Sequence, residues 1–257
     1  MEPLTGDHVF LADPAVGETP GRLARFESVM TDDERARQAR LVFARDRVAF
    51  AVTRALVRAA LSRYAEVQPS DWRFAPGPNG RPRVVAPAGV AAPHFSVSHT
   101  AGLIACLITP EPRAAVDVER LRPVDDALAI ADRHFAPEEI AALRACAGEV
   151  EERNLFFALW TLKESFLKAL GQGLSLPLDA AAFAPPTGGG GTGGLGFRLD
   201  PAHADPGARW DFQLWQPSPE HRLALARAIP AGASPPLAFS RLIPFEAPEP
   251  ATVERIA

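Results

Sequence analysis

FFALWTLKESFLKALGQGLSLPL, residues 156 to 178, decides how the rest of this chain is read. The spacing predicts a helix from Glu152 to Leu170, in which Leu155, Phe156, Leu159, Trp160, Phe166, Leu167 and Leu170 cover much of the circumference. Such a helix is central and buried rather than laid on the surface. Within it stand Lys163, Glu164 and Lys168, and the two lysines are the only ones in a chain whose lysines and arginines total 27. Arginine keeps its proton near neutral pH, whereas lysine is a compact point charge that can release one. Lysine at these positions therefore points to a need for an ammonium, to handle phosphate, a metal or a proton. Glu164 and Lys168 are four residues apart and share a helix face, which on so apolar a helix is predicted to border a cleft or an edge.

Ahead of this helix lies a shorter one, predicted from Pro137 to Ala147, and after it strands near 181–184, 196–199, 210–216 and 223–227. The first half has a similar grammar. Thr31 or Asp32 can cap a helix, and Asp46 to Tyr64 reads as an amphipathic one with Phe50, Ala51, Leu56, Val57, Ala60 and Leu61 on its apolar face. PSDWRFAPGPNGRPRVV then predicts two short strands about a Pro/Gly turn. HFSVSHTAGLIACLI and RAAVDVERL are β-rich segments separated by TPEPR, read as a hairpin. Helix plus antiparallel sheet in each half predicts an α+β fold. The expected parts are a subdomain over 1–121, a second over 122–235 and a C-terminal extension over 236–257. The glycine-rich run 187–196 lacks the Lys-Ser/Thr ending of a phosphate-binding loop and is read as a strand connection.

Composition narrows the function. A net charge of −4 with 47% hydrophobic residues fits a globular protein and argues against a general nucleic-acid binder. The charge is uneven, with eight arginines and one acid, Asp46, between Arg35 and Arg63. Cys106 and Cys146, in apolar surroundings without metal-ligand spacing, read as reduced core residues. No signal peptide or membrane span is legible, so a cytoplasmic protein is expected.

The chemistry-bearing residues lie in three places. In AAVDVERL, strand alternation puts Asp117 and Glu119 on one face, where two carboxylates side by side repel each other unless a cation or water intervenes. A few oxygen ligands suit Mg²⁺, which takes its remaining ligands from water and substrate phosphates. Glu164 supplies a third carboxylate. FSVSHT adds Ser96, Ser98, His99 and Thr100, better suited to phosphate hydrogen bonding than to a hydrolase, since no G-x-S-x-G elbow accompanies them.

Taken together, GRPRV (80–84), FSVSHT (95–100), AVDVER (115–120) and the 156–178 stretch occur in an order and spacing that resembles the Sfp-type 4′-phosphopantetheinyl transferases, over roughly residues 30–230. The resemblance implies a pseudo-twofold pair of similar α+β subdomains in one chain. It places metal ligands at Asp117, Glu119 and Glu164. Coenzyme A contacts fall at Arg45, Gly80, Arg81, Pro82, Ser98, His99, Lys163 and Lys168, with Arg47 an alternative to Arg45. Arg81 stands where many members have lysine. The implied reaction moves phosphopantetheine from coenzyme A to a serine of an acyl or peptidyl carrier protein, as a holo-carrier-protein synthase, with Mg²⁺ as cofactor and adenosine 3′,5′-bisphosphate released. Glu164, directly or through water, takes the serine proton; Lys168 stabilises or protonates the leaving phosphate; His99 and Arg45 grip the 3′-phosphate. An acidic helical carrier domain is the implied partner and a monomer the implied state, with polyketide, non-ribosomal peptide and fatty-acid systems all open.

Overall fold

The computed structural model describes residues 3–77, 81–171, 176–185, 195–203, 209–230 and 235–257. They form two compact units: 1–112 with 235–252, and 113–234 with 253–257.

The first unit is built on a helix and a five-stranded sheet. Strand β1 (Asp7–Ala12) leads into the short helices α1 (Arg22–Glu27) and α2 (Asp32–Ala39). Helix α2 starts where the sequence places its cap: Glu34 N–H donates to Thr31 Oγ1 at 3.2 Å, and Thr31 N–H donates to Glu34 Oε2 at 3.0 Å. Helix α3 (Ala44–Leu61) buries Ala51, Leu56, Val57, Ala60 and Leu61 as predicted, and Phe50 packs at the margin of the same core. Strands β2 (Arg73–Pro76) and β3 (Pro82–Ala86) make a separate antiparallel ribbon. Strands β4 (His94–Thr100) and β5 (Leu103–Thr109) form a hairpin across the turn at Ala101-Gly102.

Three expectations change here. The segment TPEPR does not turn a hairpin, because β6 (Ala114–Arg120) pairs with a strand of the other unit's sheet instead of with β5. The break between units accordingly falls after residue 112 rather than 121, leaving the strand that bears Asp117 and Glu119 in the second unit. Nor is 236–257 an appended extension. Strand β11 (Leu237–Arg241) pairs in parallel with β1 and antiparallel with β12 (Glu249–Pro250), and β13 (Glu254–Arg255) pairs with the second unit's sheet. The first sheet, in order β12-β11-β1-β5-β4, is therefore mixed rather than antiparallel throughout.

In the second unit α4 (Ala127–His134) and α5 (Pro137–Arg144) precede the long α6 (Glu149–Leu170). Three acids occupy the first turn of α6 and Lys168 its last, each matching the helix dipole. Gly171, with φ of 65°, ends it in the left-handed conformation that favours glycine. A small ribbon of β7 (Ala181–Phe183) and β8 (Phe197–Leu199) follows. Strands β9 (Arg209–Ser218) and β10 (His221–Ile229) complete an antiparallel sheet in order β13-β9-β10-β6. Helix α6 packs on β6 and β10, and Phe156, Phe157, Leu159, Leu162, Phe166 and Leu167 lie in the core with Ala115, Ala224 and Ala226 from the sheet. Cys106 is buried as expected, but Cys146 is only half-buried, because α5 ends before it at the surface.

Arg58 has no side-chain exposure and donates to Glu34 Oε2 at 2.7 Å, so one glutamate both caps α2 and compensates a buried guanidinium of α3. Glu34→Gln is expected to lower the unfolding free energy by about 3 kcal/mol in urea denaturation, since it strands that charge. A loss below about 1 kcal/mol would mean that solvent replaces the carboxylate.

Candidate functional site

Strand β6 and helix α6 bring together four of the residues singled out from the sequence. Alternation turns Ala115, Asp117 and Glu119 to the side on which α6 packs, since Ala115 shares the α6 core. From the last turn of α6, Lys168 donates to Asp117 Oδ1 at 2.5 Å. Asp117 is buried, whereas the Lys168 side chain keeps 35% of its exposure. The Lys168 side chain is thus anchored on the strand while part of it remains exposed.

The charges respond to one another. Burial, and then Asp117, push the Glu119 carboxyl up to about 7, with Glu164 adding to the rise and Lys168 and Arg122 opposing it. Burial and Asp117 likewise raise Glu164, against Lys168. Asp117, Glu119 and Glu164 form a donor set that a hard divalent cation suits, all oxygen and in excess negative charge. Among the described residues, no group of three or more His, Cys, Asp or Glu side chains is gathered closely enough to hold a metal ion. One reason is visible at Asp117, where Lys168 holds an oxygen that a cation would use. In donor chemistry the set fits Mg²⁺, and a bound ion would share Asp117 with the ammonium.

Lys163 departs from its expected role. Its side chain is wholly buried, its Nζ lies 2.7 Å from Glu139 Oε2 and donates to Leu178 O at 2.8 Å, and it also bonds Ala181 O. An ammonium so enclosed offers nothing to a phosphate arriving from solvent, which corrects its placement among the coenzyme A contacts. The geometric cause is the helix itself: five residues turn about 140° around the axis, so Lys163 and Lys168 leave α6 on different sides.

The remaining candidates belong to the first unit. Arg81 donates to Phe95 O at 3.2 Å and Pro112 O at 3.3 Å, which ties the start of β3 to β4. Burial lowers its pKa, yet the charge persists. Pro82 opens β3 opposite Pro76. Gly80 lies outside the described residues. On β4, Ser98 is buried and His99 exposed, as consecutive strand residues must face opposite ways. Arg45 is 79% exposed over the Phe43 ring, whereas Arg47 donates to Leu41 O and Val42 O. Of the two arginines, Arg45 is therefore the more exposed.

The site in β6 and α6 lies within residues 113–226, which match a family model described as the 4′-phosphopantetheinyl transferase superfamily. A 4′-phosphopantetheinyl transferase, HetI, from Nostoc sp. is 30% identical over 172 residues, spanning 67% of this chain and 72% of its own. The chain belongs to the 4′-phosphopantetheinyl transferase superfamily. The Sfp enzyme of Bacillus subtilis is 33% identical over 156 residues, 61% of this chain and 66% of its own. A human relative, L-aminoadipate-semialdehyde dehydrogenase-phosphopantetheinyl transferase, is 25% identical over 158 residues, 59% and 51% of the two chains.

Two residues of this superfamily member escaped the sequence reading. Arg122, just after β6, moderates the charge on Glu119, and only its position two residues beyond the strand could have signalled it. Glu139, wholly buried, partners Lys163; its signal was the acid at the third position of a proline-started helix, which is usually a cap.

The contrast between the two lysines can be checked directly. Brief acetylation of the folded protein followed by peptide mass spectrometry should modify Lys168 and leave Lys163 protected until the chain is unfolded. Equal rates at both positions would contradict the burial of Lys163.

Proposed function

We propose that this chain transfers 4′-phosphopantetheine from coenzyme A to a serine hydroxyl of an acyl or peptidyl carrier protein, as a Mg²⁺-dependent holo-carrier-protein synthase releasing adenosine 3′,5′-bisphosphate. The observation that carries this reading is the 2.5 Å contact between Lys168 on α6 and Asp117 on β6. It joins the lysine-bearing helix to the paired carboxylates at the positions where the superfamily motif matches.

The physical problem is charge. The serine oxygen approaches an anionic diphosphate, a P–O bond forms, and the bond to the adenosine bisphosphate breaks with negative charge building on its oxygen. Lys168, partly exposed and in contact with Asp117, neutralises that charge or supplies a proton to the leaving phosphate. Glu164, one turn earlier on α6, takes the serine proton. Its raised pKa makes it a better base than an ordinary surface carboxylate, and burial is the first cause. Asp117, Glu119 and Glu164 would hold the divalent cation, which when bound neutralises diphosphate oxygens. In the first unit, Arg45, Arg81 and His99 supply donors for the phosphates of coenzyme A, and Ser98 is the remaining candidate on β4. Binding energy from the remote 3′-phosphate orients the reacting diphosphate.

The same reading takes an acidic helical carrier domain as partner, attracted by the arginine-rich stretch 35–63, and a monomer acting in the cytoplasm. No described helix is long and apolar enough to cross a membrane.

Intact-mass spectrometry of apo carrier proteins incubated with the protein, coenzyme A and Mg²⁺ tests this. A gain of one phosphopantetheine, about 340 Da, abolished by EDTA, is expected. Bisphosphate release without a carrier would instead mean hydrolysis, and no gain across carrier types despite coenzyme A binding would mean a non-catalytic module. Two variants refine the roles. Glu164→Gln should abolish transfer with the melting temperature retained, whereas wild-type turnover would remove Glu164 from the chemistry. Lys168→Arg keeps the charge but changes its shape, and kcat should fall about 10-fold or more; full activity would show that any cation serves.

A further inference from the structure

The clamp around Lys163 is far more complete than anchoring a helix by apolar packing requires. All three ammonium donors have acceptors: Glu139 Oε2, Leu178 O and Ala181 O. The Phe135 ring lies 5.2 Å away. Both carboxylate oxygens of Glu139 are also committed, Oε2 to Ala136 N–H and Oε1 to Phe183 N–H, each at 2.8 Å. The pair thus joins α6 to the start of α5, the turn Leu178–Ala180 and strand β7 through directional bonds.

The rest of the contact surface of α6 that faces its unit's core is largely aliphatic and aromatic. Apolar contact is non-directional and constrains a small rotation of a helix only weakly. Charge-assisted hydrogen bonds have fixed lengths and directions. The residue next to Lys163 is Glu164, and Lys168 lies about 7.5 Å further along the axis. A rotation of α6 therefore moves both of these side chains relative to β6.

We infer that Lys163 and Glu139 are positioning residues, a buried clamp that sets the rotation of α6 and so presents Glu164 and Lys168 to Asp117 and Glu119. The kinetic half of this inference rests on the transferase reading; the placement of Lys168 does not. The clamp also explains why lysine stands at 163 in an arginine-rich chain. Three acceptors around one point match an ammonium, and the planar fork of a guanidinium does not fit them.

The test uses the full chain in a lysine-free tag, with ¹⁵N at Nζ, so that only two side-chain ammonium signals exist. Glu139→Gln removes the clamp's charge without touching the Lys168 contact. The expected result is that the Lys168 signal moves toward that of a free lysine and that kcat falls about 10- to 100-fold. The KM for coenzyme A should stay within about twofold. If Glu139→Gln does not fold, the charge-free double variant Lys163→Met/Glu139→Gln is read in the same way. A merely structural pair would lower the melting temperature while leaving kcat and the Lys168 signal unmoved, which overturns the inference. A raised KM with kcat intact also overturns it, by showing that the pair serves coenzyme A binding. If the wild-type protein transfers nothing, the transferase reading fails, and the Lys168 signal still decides whether the clamp places that side chain.

Discussion

Moving an ammonium and a carboxylate out of water costs several kcal/mol each unless every donor and acceptor finds a partner. Lys163 and Glu139 meet that condition with no solvent contact, and the second unit is arranged around them. Burial still pushes the lysine pKa down, while Glu139 opposes the fall. The lysine's other two acceptors are main-chain carbonyls of a turn and of a three-residue strand, and Glu139 accepts from the main chain of that strand. Those elements are too short to stand by propensity alone, and the buried pair supplies the directional bonds that their length cannot.

From that fixed helix the chemistry follows on another side. Asp117 sits on a strand whose neighbours on the same face are alanines, Ala115 on β6 and Ala224 paired across from it on β10, while Arg222 stands opposite Glu119. Small residues there let α6 lie close enough for Lys168 to reach the strand. Burial, and then the charge of Asp117, raise Glu119 and Glu164 and leave a local demand for positive charge. Lys168 meets part of it. A divalent ion, suited to the oxygen donors, would meet the rest.

The first unit solves a different problem. Its sheet is closed on one side by strands from distant parts of the sequence, with β1 held between β5 and β11. Helix α3 packs on this sheet through Ala51, Leu56, Ala60 and Leu61, and Trp72 is buried beside it with its indole N–H on Ser62 Oγ at 2.9 Å. That frame carries β4, and the Arg81 guanidinium, donating to the main-chain carbonyl of Phe95, ties the start of β3 to the FSVSHT strand.

The sequence by itself determined what depends on local spacing. Periodicity of 3.6 and of 2 located α3, α6, β4 and β6, because residues spaced along one element fall on its faces at the repeat of that element. A cap at Thr31 or Asp32, the paired carboxylates and the motif around Glu164 were legible for the same reason, as their meaning lies within a few residues. Tertiary structure alone decided the rest. Strand β1 was missed and β11 was read as part of an extension, because a strand's identity depends on a partner, here more than two hundred residues away in sequence. The segment after β5 looked like a hairpin, and only pairing with β10 sends β6 to another sheet. Most telling are the two lysines, similar in sequence and opposite in environment. Which one meets solvent depends on what packs against each side of α6, and that is a property of the fold rather than of the residue.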